Sequence, residues 1–279
     1  TFFVNSAIRF YRDGKTDYNS MLIHVSRFVD VQAKVKTQVK NYIEEIQKIL
    51  GNNTRELKIK DIEKEFRDLW QNQIKKRIDN SLNPNEEKIE FEEIWKITKK
   101  IILDEKKLDV LQINSKSADM LNYSDKKDGW NVIVIGGAAI SRGLTLEGLN
   151  TSYFLRIAKI PVADTLTQMG RWFGYRKNYE DIFKIYLPKK LHILFRQFTY
   201  AMEYARDKFE LMSTEKKSPI EFAIEIPSFP GWRLVSAIKM RDTLERKEPL
   251  IDSQYAREHQ TSVFHEGMKQ MENNRIVTD

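Results

Sequence analysis

The chain has 279 residues, a net charge of +7 at neutral pH and no cysteine, and this length suffices for one large or two modest domains. The lack of cysteine excludes a disulfide framework and a thiolate metal site, and the four histidines are too scattered to predict a metal-binding cage. No run of about 18 apolar residues and no charged-then-apolar leader occurs. The composition therefore predicts a cytoplasmic protein that does not bind a membrane.

Strand and helix patterns alternate along the first part of the chain. An apolar strand is predicted at Met21–Val25, followed by a long helix at Asp30–Leu50 whose apolar residues recur at helical spacing. Two further amphipathic helices are predicted from an N-cap at Thr54 to residue 107, with Pro84 as the breaker between them. This Lys- and Glu-rich stretch indicates a helical insertion, either a solvated structural hairpin or a lever that binds nucleic acid or a partner.

A run of β-branched residues at Val132–Ile135 marks the centre of the predicted sheet. A continuous apolar run fits a strand buried on both faces of a parallel sheet, and further strands are predicted at Leu108–Ile113 and Thr151–Ile157. Ligands of open α/β sheets bind beyond the carboxyl ends of the strands. Gly136 and Gly137 follow the central strand, and their backbone amides are not screened by a side chain. The pattern predicts an α/β fold with a phosphate-facing edge.

A helix predicted to begin near Ala163 leads into the residues that best suit phosphate. Arginine offers paired donors and keeps its charge, so Arg171 and Arg176 are candidates to contact a γ-phosphate. Alternatively, the aromatic residues between them pack the helix onto the sheet, and both arginines are solvated surface charges. Six of the eleven glycines fall in this part of the chain: Gly136, Gly137, Gly143, Gly148, Gly170 and Gly174.

The last third of the chain predicts a strand at Ile182–Leu187 and a helix from Pro188 to Met212. The aromatic stripe of this helix is predicted to pack against the fold rather than to stack on bases. An edge strand is predicted at 220–226, and residues 231–241 (GWRLVSAIKMR) form a basic-aromatic cluster that either contacts nucleic acid or anchors the tail.

Three segments in this order resemble a known family. Residues 20–35 (SMLIHVSRFVDVQAKV), 140–144 (ISRGL) and 168–176 (QMGRWFGYR) resemble motifs IV, V and VI of the second RecA-like domain of superfamily 2 helicases and translocases. Their combination is most similar to a helicase-like family of bacterial restriction and phage-defence gene clusters whose members are labelled as endonucleases. The resemblance implies a RecA-like parallel sheet flanked by helices. The RecA-like domain is expected to start at residues 1–50, to carry a helical insertion at 51–107 and to continue at 108–213. A C-terminal extension is expected at 214–279.

The resemblance also implies roles for individual residues. Catalytic roles fall to Gln168, Arg171 and Arg176, and cofactor contacts fall to Gly143, Thr145, Glu147 and Gly170. Nucleic-acid contacts fall to Ser26, Arg27, Gly136, Gly137, Ser141 and Arg142. The chain departs from the family pattern at Gly137, where the motif has threonine, and at Thr145, where it has aspartate. The two arginines are also five residues apart instead of three.

No Walker A loop and no acidic Walker B tetrad occurs, since the Gly14-Lys15-Thr16 sequence lacks both the first glycine and a preceding buried strand. We therefore expect ATP and Mg²⁺ to be bound mainly by an N-terminal RecA-like domain of the same protein that this chain lacks. Gly136, Gly137, Ser141 and Arg142 are expected to line the interdomain cleft into which Arg171 and Arg176 reach.

The expected function is the C-terminal motor half of an ATP-dependent DNA helicase or translocase, with DNA, the N-terminal domain and other defence-operon proteins as partners. Two alternatives stay open. One is an endonuclease, although the Glu-x-Lys sequences at Glu56 and Glu86 lack a partnering Asp strand. The other is a non-catalytic scaffold with a RecA-like shape that binds DNA or a partner.

Overall fold

Within the residues that the structure describes, the sheet has five strands, and every neighbouring pair is parallel. The computed structural model describes residues 1–14, 18–52, 54–79, 89–114, 119–137, 140, 144–155, 161–170, 176, 179–216 and 227. The strands are β1 (Tyr18–His24), β2 (Leu108–Ile113), β3 (Trp130–Gly136), β4 (Leu149–Phe154) and β5 (Lys184–Tyr186). Their order is β2-β3-β1-β4-β5. This confirms the predicted α/β class and is consistent with a RecA-like sheet flanked by helices.

The helices agree closely with the sequence pattern. They are α1 (Phe2–Asp13), α2 (Val29–Leu50), α3 (Glu56–Leu69), α4 (Lys75–Asp79), α5 (Phe91–Leu103), α6 (Ala163–Gly170) and α7 (Lys189–Thr214). A π-helical turn at Trp70–Ile74 joins α3 to α4, and a 3₁₀ turn lies at Tyr123–Asp125. Helix α2 begins one residue before the predicted start and ends where predicted, at Gly51. Helix α3 has Arg55 at its N-cap rather than the predicted Thr54.

Strand β3 forms the centre of the core. All seven of its residues are buried, which confirms the prediction made from Val132–Ile135. Ile133 packs with Ile23 of β1, and Val35 of α2 covers this cluster. On the opposite face Val132 is fully buried as well. A strand buried on both faces needs apolar side chains at successive positions, and this explains why the run does not alternate.

The helical insertion is only partly solvated. Helix α3 has no buried residue, as expected for a solvated hairpin. Trp70 and Ile74 of the π-helical turn are 3% and 0% exposed, however, and they belong to a core cluster with residues of α1 and α5. The Arg77 guanidinium also donates to the backbone carbonyls of Ile182 and Phe183 at 3.3 and 3.2 Å. The solvated-hairpin prediction is therefore wrong from Trp70 onward, because Trp70 and Ile74 join the core and Arg77 anchors the chain next to β5.

Several elements differ from prediction at their ends or faces. Strand β4 ends at Phe154, three residues early, and β5 covers only Lys184–Tyr186. Met202 and Phe209 of α7 are 46% and 48% exposed, so the predicted packing stripe is wrong for these two side chains. The predicted edge strand at 220–226 and the cluster at 231–241 lie outside the described residues. The buried side chains of α7 are Leu191, Leu194, Ala201 and Ala205.

The chain divides into two compact units. One comprises Thr1–Arg156 with Met169–Pro188 and holds the sheet. The other comprises Ile157–Gln168 with Lys189–Asp279, and its described part contains α7. Residues 51–107 belong to the first unit, so the helical insertion is not a compact unit of its own. None of the described helices has the length and hydropathy that a membrane span requires.

Candidate functional site

The connections that follow β1 and β3 lead in opposite directions across the sheet. After β1 the chain continues to β2 on one side, and after β3 it continues to β4 on the other side. Because crossovers between parallel strands are right-handed, two crossovers in opposite directions run over opposite faces of the sheet. A crevice then opens between the carboxyl ends of β1 and β3, which is where open α/β sheets bind ligands.

The loops after β1 and β3 touch at this crevice. A Cβ atom added at Gly137 would lie 2.6 Å from the carbonyl oxygen of Ser26 and 2.8 Å from Nε2 of Gln32. The structure therefore brings Ser26 and Gly137 together, two residues that the sequence assigns to nucleic-acid contact. Arg27 follows Ser26 directly, and Gly136 is the last residue of β3.

A buried glutamine holds the loops in place. Gln32, in the first turn of α2, is 1% exposed, and its Nε2 donates to the carbonyl oxygen of Ser26 at 2.8 Å. Its Oε1 accepts from Nδ2 of Asn114, the residue after β2, at 3.1 Å. Gln32 thus connects the carboxyl ends of β1 and β2 and lies against that of β3. Neither Gln32 nor Asn114 is among the residues predicted from sequence, since a single Gln in a predicted helix gives no sign of its distant partners.

Arg27 and Phe28 point outward from the same loop. The Arg27 guanidinium carbon lies 5.0 Å from the centroid of the Phe28 ring, and the ring is 58% exposed. No carboxylate within the described part of the chain pairs with Arg27. The backbone N–H of Phe28 donates to Oγ of Ser26 at 3.1 Å and so fixes the turn. An exposed cation beside an exposed aromatic ring suits a phosphate and a base of single-stranded nucleic acid. Phe28 was not predicted as a site residue, although its place between Arg27 and the helix start was a usable signal.

The two glycines at the end of β3 have a packing explanation. A Cβ atom at Gly136 would overlap the Ile140 side chain and lie 2.7 Å from the carbonyl oxygen of Ile113. At Gly137 the same position is taken by Ser26 and Gln32. Packing alone therefore requires glycine at both positions, and the predicted approach of a phosphate to their backbone amides stays a prediction.

Two other predicted residues lie at the opposite edge of the sheet. The backbone carbonyl of Glu147 accepts from Oγ of Ser20, near the amino end of β1, at 2.6 Å. The Arg176 guanidinium carbon lies 5.6 Å from the ring centroid of Phe183, the residue before β5. Burial raises the pKa of Tyr179, whereas the nearby cations of Arg9 and Arg176 lower it and the carboxylates of Glu147 and Glu180 raise it.

The expectation that Arg176 reaches into the cleft beside Gly137 is therefore wrong. All strands of a parallel sheet start at the same edge, the amino edge. The chain must therefore return to this edge before β4 begins at Leu149 and before β5 begins at Lys184. Seven residues of β1 separate the two edges by about 20 Å. Arg176 does not lie beside Gly137, and its catalytic role rests on the resemblance alone.

The segment after Arg176 is held by one face of α1. The guanidinium of Arg12 pairs in bidentate fashion with the carboxylate of Asp181 at 3.0 and 2.6 Å. The Arg9 guanidinium carbon lies 4.4 Å from the ring centroid of Tyr179. Asn5, Arg9 and Arg12 are four and three residues apart, which places them on the same face of the helix. This face fixes the return of the chain into β5, and α1 is a core helix.

The positions of the remaining predicted residues say little about a binding site. Gln168 and Thr145 are exposed. A Cβ atom at Gly170 would meet nothing within 4 Å, so packing among the described residues does not require glycine there. Among those same residues no group of three or more His, Asp or Glu side chains could hold a metal ion. Four predicted site residues lie outside the described part of the chain: Ser141, Arg142, Gly143 and Arg171.

Comparisons with known proteins give one family. No curated protein matches the chain, and no solved structure matches it. The family model described as the Z1 domain matches residues 1–232. This match covers the whole sheet and both edges described above, and the chain therefore belongs to the Z1 domain family.

Proposed function

We propose that this chain is the nucleic-acid-binding lobe of an ATP-dependent helicase-like or translocase-like motor, and that DNA binds at the carboxyl edge of its sheet. The observation that carries the proposal is the exposed pair of Arg27 and Phe28 at the crevice between β1 and β3. A guanidinium without a carboxylate partner supplies a phosphate contact, and the adjacent ring supplies a stacking surface for a base.

The nucleotide belongs to a second surface in this proposal. ATP and Mg²⁺ are held mainly by another RecA-like lobe, and Arg176 faces that lobe from the amino edge. Arg171 is the arginine that approaches the γ-phosphate, where such a contact accelerates hydrolysis by about three to five orders of magnitude. Glu147 lies at the same edge, where its backbone carbonyl accepts from Oγ of Ser20. The DNA surface and the nucleotide surface are therefore separate.

Fluorescence anisotropy with a labelled single-stranded oligothymidylate tests the DNA surface on this chain. Arg27→Ala removes one phosphate contact, so the slope of log K against log salt becomes shallower by about 0.7. Phe28→Ala removes a stacking surface and weakens binding by about 1–3 kcal/mol. Matched controls are Lys127→Ala, which removes an exposed cation in the turn before β3, and Leu57→Ala, which removes a 79% exposed apolar side chain of α3.

The outcome separates the proposed surface from general electrostatic attraction. Equal losses for Arg27→Ala and Lys127→Ala would show that the net charge, not the crevice, binds DNA. Arg171→Ala in the full-length protein tests the motor, because it abolishes DNA-stimulated ATP hydrolysis without weakening DNA binding. Metal-dependent cleavage of DNA that persists in Arg171→Ala would instead favour the endonuclease.

A further inference from the structure

Gln32 is a buried polar residue of α2 whose partners lie outside the helix. Its amide is almost completely buried, and both of its ends are used: Nε2 donates to Ser26 and Oε1 accepts from Asn114. The orientation of the amide follows from these partners. In the flipped orientation Nε2 would face the amide donor of Asn114, and Oε1 would face the carbonyl acceptor of Ser26. The side chain also fills the space beside Gly137. Gln32 thus contacts the segments that follow three strands, β1, β2 and β3.

The position of Ser26 makes this contact relevant to binding. Its carbonyl oxygen receives the Gln32 amide, its Oγ receives the N–H of Phe28, and Arg27 lies between these two fixed points. The direction in which Arg27 and Phe28 project therefore depends on the anchoring of Ser26. Without the amide, the loop has one anchor fewer and samples other conformations.

We propose that Gln32 is a positioning residue that holds the loop of Ser26, Arg27 and Phe28 in its nucleic-acid-binding conformation. This inference rests on the function proposed above. Gln32 does not itself contact nucleic acid, because it is buried. It acts on affinity through the fraction of molecules whose loop is competent, and the apparent dissociation constant rises in inverse proportion to that fraction.

Gln32→Met is the central variant, since methionine keeps the length of the side chain and removes the amide. Gln47→Met is the matched control: Gln47 lies on the same helix, and its Nε2 donates to a backbone carbonyl, that of Ile102, at 2.7 Å. Each variant loses one amide-to-carbonyl bond from α2. Gln32→Met also loses the bond that Oε1 accepts from Asn114, and only this variant releases the loop. In the anisotropy assay we expect Gln32→Met to weaken binding by about fivefold to tenfold, with Gln47→Met equal to the unmodified chain.

The salt dependence distinguishes positioning from direct contact. A smaller competent fraction multiplies the dissociation constant by a factor that does not depend on salt, so Gln32→Met keeps the slope of the unmodified chain. Arg27→Ala changes that slope because it removes a charge. A merely structural role of Gln32 would lower the melting temperature and leave affinity at temperatures well below melting unchanged.

The outcomes show whether the proposed function or only the positioning role of Gln32 fails. If the unmodified chain does not bind the oligonucleotide, or if Arg27→Ala matches Lys127→Ala, the proposed function fails. If Arg27→Ala weakens binding while Gln32→Met matches Gln47→Met, the positioning role fails and the function stands. Should Gln32→Met not fold, Asn114→Ala replaces it, because this change frees Oε1 of Gln32 and lets the amide rotate away from Ser26. An unchanged affinity in folded Asn114→Ala would equally overturn the inference.

Discussion

Gly148 and Gly14 adopt the same left-handed backbone conformation in different surroundings, and this permits a controlled test of the packing at the amino edge. Their φ angles are +61° and +65°. A Cβ atom at Gly14 would meet nothing within 4 Å. At Gly148 it would overlap the carbonyl group of Tyr18 and lie 2.5 Å from Nη1 of Arg9. Alanine at both positions pays the same backbone penalty, and only Gly148→Ala adds a clash.

The free-energy cost of that clash depends on which groups have to move. Nη1 of Arg9 donates to the carbonyl oxygens of Tyr18 and Gly148 and to Oδ1 of Asn19, and the Arg9 side chain is buried. The left-handed conformation costs about 1–2 kcal/mol for alanine at either position. Displacing a buried guanidinium from its acceptors costs at least about 3 kcal/mol more, since hydrogen bonds to charged groups contribute about 1.5–3 kcal/mol each. The two variants should therefore differ by at least about 3 kcal/mol.

Thermal unfolding of the two variants measures this difference. For a domain of this size, 1 kcal/mol shifts the melting temperature by about 2–4 °C, so Gly148→Ala should melt at least about 6 °C below Gly14→Ala. Urea denaturation gives the free energies independently and shows whether the m-value stays constant. Equal stabilities would refute the reasoning, because they would mean that the amino edge yields without breaking the contacts of Arg9.

Two further predictions follow from Gly170 and Tyr123. Gly170→Ala should leave the free energy of unfolding unchanged or raise it by up to about 1 kcal/mol in urea denaturation, because helix α6 offers the methyl group open space; a clear loss of stability would contradict this. Burial raises the pKa of Tyr123 to about 12, although its hydrogen bond with Ser20 opposes the shift. Because the folded pKa lies above the ordinary value of 10, the stability contributed by neutral Tyr123 is present below pH 10 and is lost between pH 10 and 12. Denaturation at pH 9 and 11.5 should show this loss, which Tyr123→Phe should reduce; an equal loss in that variant would assign it to other groups.

The sequence predicts the elements of the sheet well because their signals are local. The apolar run Val132–Ile135 is too continuous for a half-exposed strand, and the long helical period before Gly51 defines α2. These patterns are sufficient for the α/β class. The helical insertion is predicted as helices but not as a core element, since the burial of Trp70 depends on partners in α1 and α5.

The site is predicted less well because its contacts are not local. Arg176 was placed near Gly137 because the two segments resemble neighbouring motifs, yet β5 starts eight residues after Arg176 and requires a return to the amino edge. The strand boundaries alone would have predicted that return. The contact of Gln32 with Asn114 spans 82 residues of sequence, and no spacing pattern announces it.

The clustering of glycines between residues 136 and 174 has a different meaning once the packing is known. At Gly136, Gly137 and Gly148 an added methyl group would strike the protein itself, so close packing requires glycine there whether or not a phosphate binds. The pair of Arg27 and Phe28 has the opposite character. An exposed cation beside an exposed ring contributes only about 0.5–1 kcal/mol to stability. The exposed apolar surface of Phe28 stays in water, so it contributes no hydrophobic stabilisation. The proposed binding of nucleic acid therefore rests on this exposed pair and on the buried amide that anchors its loop.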